Sequence, residues 1–104
     1  MVNSDKVVSA QSLSGGGALR LLCEFLKDHR PAELYHSDPT WGNHPAIFEK
    51  VGFPVVKKYR YYKQETRGLD FEGMMEDLGN AAEGSCILLH TCAHNPTGVD
   101  PNME

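Results

Sequence analysis

Segments with strand and helix patterns alternate along the whole of this 104-residue chain. Strand-like runs lie at 6–13, 33–37, 55–61 and 85–90. Helical patterns fall between them, at 18–28 with Pro31 closing the helix, from Pro45 to a Gly52 cap, and at 71–78 between an Asp70 cap and Gly79-Asn80. Because parallel strands need crossover connections, this order predicts an α/β fold with a parallel sheet.

The last strand-like run, residues 85–90, is short and continuously apolar. Such a run is typical of a strand buried on both faces of a sheet. No composition shift marks an internal linker, which predicts one domain over residues 1–104. Since four strands and three helices would leave a parallel sheet incompletely covered, we expect a slice of a larger domain.

Composition and charge exclude several classes of protein. The net charge of −4 gives no general attraction to nucleic acid or to membrane surfaces, and the cluster of Lys57, Lys58 and Arg60 is read as a solvated strand face. No run approaches the ~20 apolar residues of a membrane span. The first residues lack signal-peptide and transit-peptide patterns, and three cysteines form no disulfide framework. We therefore expect free thiols in a reducing compartment and no secretion.

Three unusual segments follow the predicted strands, where open α/β sheets bind ligands. The first, Ser14-Gly15-Gly16-Gly17, opens the first helix. Glycines let a ligand approach the backbone, and the helix start offers free N–H groups, so the segment suits a phosphate. It matches neither the dinucleotide-binding nor the Walker pattern, and a flexible turn with a serine cap is the alternative.

The second segment, 38–44, holds Trp41, the only tryptophan of the chain, between Asp38-Pro39 and His44. An indole in such a loop can stack on a flat ligand, and packing into a core is the alternative.

The third segment reads HTCAHNPTG over residues 90–98. Four potential zinc ligands occupy even positions, Cys86, His90, Cys92 and His94. On a straight strand the first and last would lie about 26 Å apart, too far to share one ion, so a metal site is disfavoured. The Asn95-Pro96 bond admits a cis peptide that would turn the chain sharply, and an ordinary Asn-Pro turn is the alternative.

Taken in order, SLSGGGALR, DPTWGNH, YRYY…RGLDFEGM and LLHTCAHNPTGVDP resemble the aspartate aminotransferases. These class-I aminotransferases are fold type I enzymes that use pyridoxal 5′-phosphate (PLP). The resemblance runs from about residue 7 to residue 101. It implies that the chain is a partial three-layer sandwich with a parallel sheet, a slice of the PLP-binding large domain with parts missing at both ends.

The resemblance also implies roles for particular residues. Ser14, Gly15 and Gly16 would lie at the cofactor phosphate, with Gly16 where the family usually has threonine, so that one hydroxyl is lost. Trp41 would stack on the pyridine ring and touch substrate. Asn95 would donate to the phenolic oxygen of the ring and help bind the substrate carboxylate. His44 and His90 would support the aspartate that pairs with the ring nitrogen; satisfied polar residues at strand ends are the alternative. Pro39 and Pro96 match positions where cis prolines are common.

The catalytic residue proper has no counterpart in this sequence. The family's Schiff-base lysine lies in a Ser-x-Ser-Lys segment further along. No lysine here stands in such a segment, and this holds for Lys27, Lys50, Lys57, Lys58 and Lys63. The ring-nitrogen aspartate, which Asp38 does not replace, and the substrate-binding arginines would also lie elsewhere. We therefore expect the 104-residue chain alone to be inactive.

The resemblance favours a fragment of an enzyme that transfers the amino group of L-aspartate to 2-oxoglutarate and works as a homodimer. An aromatic amino acid aminotransferase shares these motifs and is an alternative. A non-catalytic truncated protein or interaction module is the alternative from another class. The resemblance leaves open whether the protein works in the cytoplasm, a mitochondrion or a plastid.

Overall fold

The computed structural model describes residues 7–30 and 32–102 of the chain. Its elements are helices α1 (Ser14–His29), α2 (Asn43–Val51) and α3 (Phe71–Gly79), and strands β1 (Glu33–Asp38), β2 (Val55–Arg60), β3 (Tyr62–Lys63), β4 (Gly68–Leu69) and β5 (Cys86–Ile87). The predicted α/β class is confirmed. No helix in the described ranges is long and apolar enough to cross a membrane.

A three-stranded parallel sheet forms the centre, in the order β2–β1–β5. The central strand β1 pairs with β2 along its whole length, from Glu33 opposite Val55 to Asp38 opposite Arg60. Its pairing with β5 covers only Leu34 and Tyr35. All three strands run the same way, so their carboxyl ends meet at one edge, as the alternation of patterns predicts.

Side chains of the sheet alternate between two apolar clusters, one on each face. Leu34 points to the first cluster, which contains Cys23, Phe48, Val51 and Phe53 and is built mainly from α1 and α2. The next residue, Tyr35, points to the second cluster, which α3 helps to build. Its buried members are Tyr35, Tyr59 and Tyr61, and its partly buried members are Tyr62, Leu69, Met74, Leu78 and Ala81. Helices therefore lie on both faces of the sheet, which is the three-layer arrangement expected.

Two helix boundaries follow the predicted capping chemistry. Gly52 ends α2 with φ +73°, a backbone conformation that glycine adopts without steric cost. The Asp70 carboxylate accepts a 3.0 Å hydrogen bond from the Gly73 N–H and so caps α3, which Asn80 terminates. Pro31, predicted to close the first helix, lies outside the described residues.

The predicted strand over residues 6–13 is wrong for its described part, because residues 7–13 form no strand. Val8 is 98% exposed, and no described strand lies beside this segment to accept its backbone hydrogen bonds. Residue 6 lies outside the described residues. The parallel sheet of the described chain consequently has three strands instead of four.

The predicted strand over residues 85–90 contracts to the two residues of β5, and its expected burial on both faces is also wrong. Ile87 is 36% exposed and Leu89 is 59% exposed, because no described layer covers that side of the strand. The hairpin of β3 and β4 was not predicted, since two-residue strands carry too little periodicity to detect.

Candidate functional site

The first site segment lies at the carboxyl end of β1. The Asp38–Pro39 peptide is cis, as the resemblance implies, and α2 begins four residues later. The Thr40 hydroxyl bonds the His44 Nδ1 at 2.7 Å, and the His44 N–H donates to the Trp41 carbonyl at 2.9 Å. Trp41 therefore sits on a structured turn, with its ring edge-on to the His44 imidazole at 5.4 Å and 36% of the residue exposed. This indole is accessible, not buried in a core.

The second site segment is the turn that follows β5. Its Asn95–Pro96 peptide is also cis. The Asn95 N–H donates to the His90 Nδ1 at 3.1 Å. The Asp100 carboxylate accepts from the N–H groups of Ala93 and His94, at 2.7 and 2.9 Å. These three bonds fix the backbone on which the Asn95 side chain is mounted.

Aromatic contacts join the two segments into one group. The His44 ring meets the His90 ring edge-on at 5.2 Å. The His90 ring stacks on His94 at 4.3 Å, and His94 stacks on Tyr61 at 3.9 Å. The structure thus brings together Trp41, His44, His90 and Asn95, all of which the resemblance selects. We call this group, together with His94, the histidine row.

Burial keeps the three imidazoles of the histidine row, those of His44, His90 and His94, neutral near pH 7. It lowers the pKa of His44 to about 4, and His90, His36 and His94 push the pKa in the same direction. Burial also lowers the pKa of His90 and of His94, although the Asp100 carboxylate opposes both shifts. Neutral imidazoles can each offer one donor and one acceptor, which suits them to an orienting network.

The buried Nε2 of His90 has no hydrogen-bond partner among the described residues. Its other nitrogen, Nδ1, accepts from the Asn95 N–H, so in the neutral ring the proton resides on Nε2. An unpaired buried donor of this kind costs free energy unless a further acceptor reaches it. An acceptor from outside the described residues would satisfy this donor.

The glycine segment forms the first turn of α1. Leu13 occupies the N-cap and no side chain caps the helix, so the alternative of a serine cap is wrong. The first-turn N–H groups of Ser14, Gly15 and Gly16 point away from the helix and lack intrahelical acceptors. A Cβ placed on Gly15 or Gly16 would meet no atom within 4 Å, so the approach to this turn is open.

Topology puts this open turn at the same edge of the sheet as the histidine row. Helix α1 returns from that edge to the start of β1 through a short connection, so its first turn faces the carboxyl end of β1. In the described ranges, no hydrogen bond links Ser14, Gly15 or Gly16 to the histidine row. The two parts are therefore placed on one edge without being hydrogen-bonded to each other in the described ranges.

Sequence reasoning missed three contributors to the site. Thr40 orients His44, Asp100 anchors the 93–94 backbone, and His94 lies in the centre of the stack. In the sequence, His94 stands out only as a potential metal ligand. Its position next to Asn95 is the one feature of the sequence that indicates a place in the site. Its partner Ser37 lies 57 positions away, so no spacing pattern reveals that contact.

We predict that replacing Asp100 with asparagine loosens the Asn95 turn. The two backbone hydrogen bonds hold the pKa of Asp100 below its usual value, so its carboxylate is the form that supports the turn. An amide offers one acceptor oxygen in place of two. Hydrogen exchange at the Ala93 and His94 amides should become about tenfold faster, because a charge-assisted bond is lost.

The matched control is Asp28→Asn, at an exposed carboxylate on α1. It should leave exchange at Ala93 and His94 unchanged. Equal exchange rates at these amides in both variants would contradict the anchoring role.

The amino-acid sequence is similar to those of known proteins. Residues 1–104 match the sequence profile of the family described as "Aminotransferase class I and II". The mitochondrial aspartate aminotransferase of Schizosaccharomyces pombe is 57% identical over 98 residues, covering 93% of this chain and 22% of that protein. Other curated relatives are named as cytoplasmic and chloroplastic aspartate aminotransferases.

Solved structures give the same result. A crystal structure of aspartate aminotransferase from Trypanosoma cruzi matches with a TM-score of 0.94 and 46% identity, covering 98% of this chain and 26% of that one. An aromatic-amino-acid aminotransferase from Burkholderia pseudomallei, covalently bound to pyridoxal phosphate, matches with a TM-score of 0.87 and 45% identity, covering 90% and 24%. The chain spans about a quarter of the length of the relatives it matches.

Proposed function

Because the chain belongs to the class I and II aminotransferase family, we propose that it forms part of the PLP-binding large domain of an aspartate aminotransferase. The whole protein would transfer the amino group of L-aspartate to 2-oxoglutarate, giving oxaloacetate and L-glutamate. It would act as a homodimer in the cytoplasm, a mitochondrion or a plastid, the compartments named for its relatives.

One observation carries this proposal: the assembly of Trp41, His44, His90 and Asn95 at the carboxyl edge of the sheet. The residues fit PLP. An accessible indole offers a stacking face, and the Asn95 amide sits on an anchored turn. The buried Nε2 of His90 has no partner among the described residues, and the aspartate expected at the ring nitrogen would provide an acceptor for it. The open first turn of α1 offers N–H donors for the phosphate.

The cofactor, when bound, supplies the electron sink for transamination. The residues of this chain bind and orient. Trp41 would hold the ring plane and contact substrate, and Asn95 would donate to the phenolic oxygen and to the substrate carboxylate. His44 and His90 would keep the ring-nitrogen aspartate in position, while Ser14, Gly15 and Gly16 would hold the phosphate. The lysine base and the substrate-binding arginines would come from other parts of the protein.

An aromatic amino acid aminotransferase is the second candidate, because solved structures of that specificity match this chain with TM-scores near those of aspartate enzymes. Since the residues expected to bind the substrate side chain would come from other parts of the protein, both specificities are compatible with this chain. Comparing turnover of L-aspartate and of L-phenylalanine by the whole protein would separate the two candidates.

Pyridoxamine 5′-phosphate, titrated while Trp41 fluorescence is followed, tests the proposed cofactor site. The chain has a single tryptophan, so quenching reports on the site itself. The amine form of the cofactor does not react with surface lysines, which removes the main source of false binding. We expect saturable quenching that Asn95→Leu weakens about tenfold, through loss of one donor to a charged oxygen.

Pyridoxamine without the phosphate should bind more weakly still. The exposed Asn102→Leu substitution, outside both site segments, serves as the control for the amide-to-alkyl change. If titration gave no saturable quenching in the protein, or if Asn95→Leu and Asn102→Leu bound alike, the proposed cofactor site would be wrong.

A hydroxyl restored at position 16 should strengthen phosphate binding. A Cβ at Gly16 meets nothing within 4 Å, so Gly16→Thr adds its hydroxyl without a clash. A hydrogen bond to a charged group contributes about 1.5–3 kcal/mol, so cofactor affinity should rise about tenfold or more. Gly16→Val has the same shape without the hydroxyl and separates hydrogen bonding from helix propensity. Equal affinities of the two variants would disprove the expected contact with the phosphate.

A further inference from the structure

His94 is the most enclosed polar side chain of the site and has no role in the proposed function above. The residue is 2% exposed. Its ring is stacked between Tyr61 at 3.9 Å and His90 at 4.3 Å, with interplanar angles of 16° and 21°. Its Nε2 lies 2.8 Å from the Ser37 Oγ, and its Nδ1 lies 2.8 Å from the Thr97 Oγ1. Both nitrogens are therefore occupied by hydroxyl groups.

A neutral imidazole has one donor nitrogen and one acceptor nitrogen, and a hydroxyl can fill either role. Ser37 and Thr97 therefore pair both nitrogens of a neutral His94 ring, one hydroxyl as donor and the other as acceptor. Nearby, the Tyr59 hydroxyl donates to the Leu88 carbonyl at 2.9 Å.

The Thr97 oxygen also accepts from the Val99 N–H at 3.1 Å, so this hydroxyl is itself held in place. With a hydroxyl at each nitrogen and aromatic rings stacked on it, the His94 ring has a fixed position in the site.

The contacts of His94 join three separate parts of the site. Ser37 lies in β1, one residue before the Asp38–Pro39 bond. Thr97 lies in the Asn95 turn, directly after Pro96. The His94 ring forms the floor on which His90 stacks, and His90 in turn accepts from the Asn95 N–H. A change at His94 thus reaches Asn95 by two routes, through the turn and through His90.

We propose that His94 is a positioning residue, held as a neutral ring between the Ser37 and Thr97 hydroxyls, which fixes the placement of Asn95 and the ring orientation of His90. That these two residues serve a cofactor rests on the proposed function; the neutral ring and its partners do not. The titratable groups facing the ring are Tyr61 and His90, which stack on it, and Asp100 through the backbone.

The test records nitrogen chemical shifts of the cofactor-free full chain carrying nitrogen-15-labelled histidine. Near neutral pH, His94 should show a neutral ring with its proton held on one nitrogen, because a hydroxyl pairs each nitrogen. Ser37→Ala removes the partner of Nε2 and should shift the Nε2 signal more than the Nδ1 signal. A doubly protonated His94, or a ring whose signals Ser37→Ala leaves unchanged, would overturn the inference.

A matched pair at position 97 tests positioning as opposed to simple packing. Thr97→Ser keeps the hydroxyl, whereas Thr97→Val keeps the shape and removes the donor. We expect the Asn95 amide signal and the His90 nitrogen shifts to move in Thr97→Val and to stay in place in Thr97→Ser. Pyridoxamine 5′-phosphate affinity should fall about tenfold only in Thr97→Val, because the buried Nδ1 of His94 then loses its partner. Identical spectra for the two variants would overturn the inference.

The two readouts separate this inference from the proposed function. A neutral, hydroxyl-paired His94 with no cofactor binding by the unsubstituted protein would refute the proposed function and leave the positioning of Asn95 established by its amide signal. Cofactor binding with a doubly protonated His94 would refute the inference and leave the proposed function standing. The thermal unfolding midpoint of each variant confirms that the fold is retained.

Discussion

Replacing Phe48 with alanine is expected to destabilise the protein by about 3–5 kcal/mol, the range for a fully buried Phe→Ala substitution. Phe48 is completely buried in the cluster between α1, α2 and the sheet. A cavity of about 60 Å³ already lies beside it, lined by α1, β1 and β5 side chains, so the space left by the ring would enlarge an existing void. The free energy of unfolding, measured with denaturant, checks this expectation.

The control is Phe25→Ala on α1. Phe25 is 60% exposed, so the same deletion there should cost much less. The comparison also bears on the site, because the Phe48 ring lies 6.3 Å from His44 and 6.0 Å from His36. Loss of Phe48 should therefore weaken cofactor binding as well as the fold. Equal destabilisation by the two substitutions would contradict the assignment of Phe48 to the core.

The elements predicted well from sequence are those that make their own local contacts. Helix α3 carries its cap in Asp70, and α2 carries its terminator in Gly52, so a few neighbouring residues fix each boundary. Strands β1 and β2 are rich in β-branched and aromatic residues and pair along their full lengths. For these segments, local propensity and tertiary contacts favour the same structure.

The failures occur where a segment depends on contacts distant in sequence. Residues 7–13 have a strand-like pattern, but a strand forms only beside a partner, and none of the described strands pairs with them. The run at 85–90 contracts to β5 for a related reason, since it pairs with β1 only through Leu34 and Tyr35. Composition shows what a strand can be made of but not what lies beside it.

The site shows the same division. Trp41, His44, His90 and Asn95 were selected because whole motifs resemble a family, and the geometry places them together. The resemblance carried no role for His94, whose partners Ser37 and Tyr61 lie 57 and 33 positions away in the chain. A hydrogen-bond chain that crosses three elements leaves no spacing signal in a single sequence.

The stability of the protein should fall steeply as the pH drops from about 6.5 toward 4, because of the histidine row. Burial lowers the pKa of His44 from 6.5 to about 4, and it also lowers the pKa of His90 and His94. In this window the unfolded chain binds protons that the folded chain excludes, so the stabilisation present above pH 6.5 is lost as the pH falls. Each proton contributes at most about 1.4 kcal/mol per pH unit, less where solvent reaches the ring.

His44→Gln tests the largest of these shifts. Glutamine stays neutral at every pH, so the variant should unfold with a shallower pH dependence, reduced by up to one proton between pH 4 and 6.5. The control is the same substitution at His29, an exposed histidine at the end of α1 that lies outside the histidine row. Denaturant unfolding at several pH values gives the slope for each protein. A slope that His44→Gln leaves unchanged would mean that folding does not lower the His44 pKa, and the burial argument for a neutral orienting network would then be wrong.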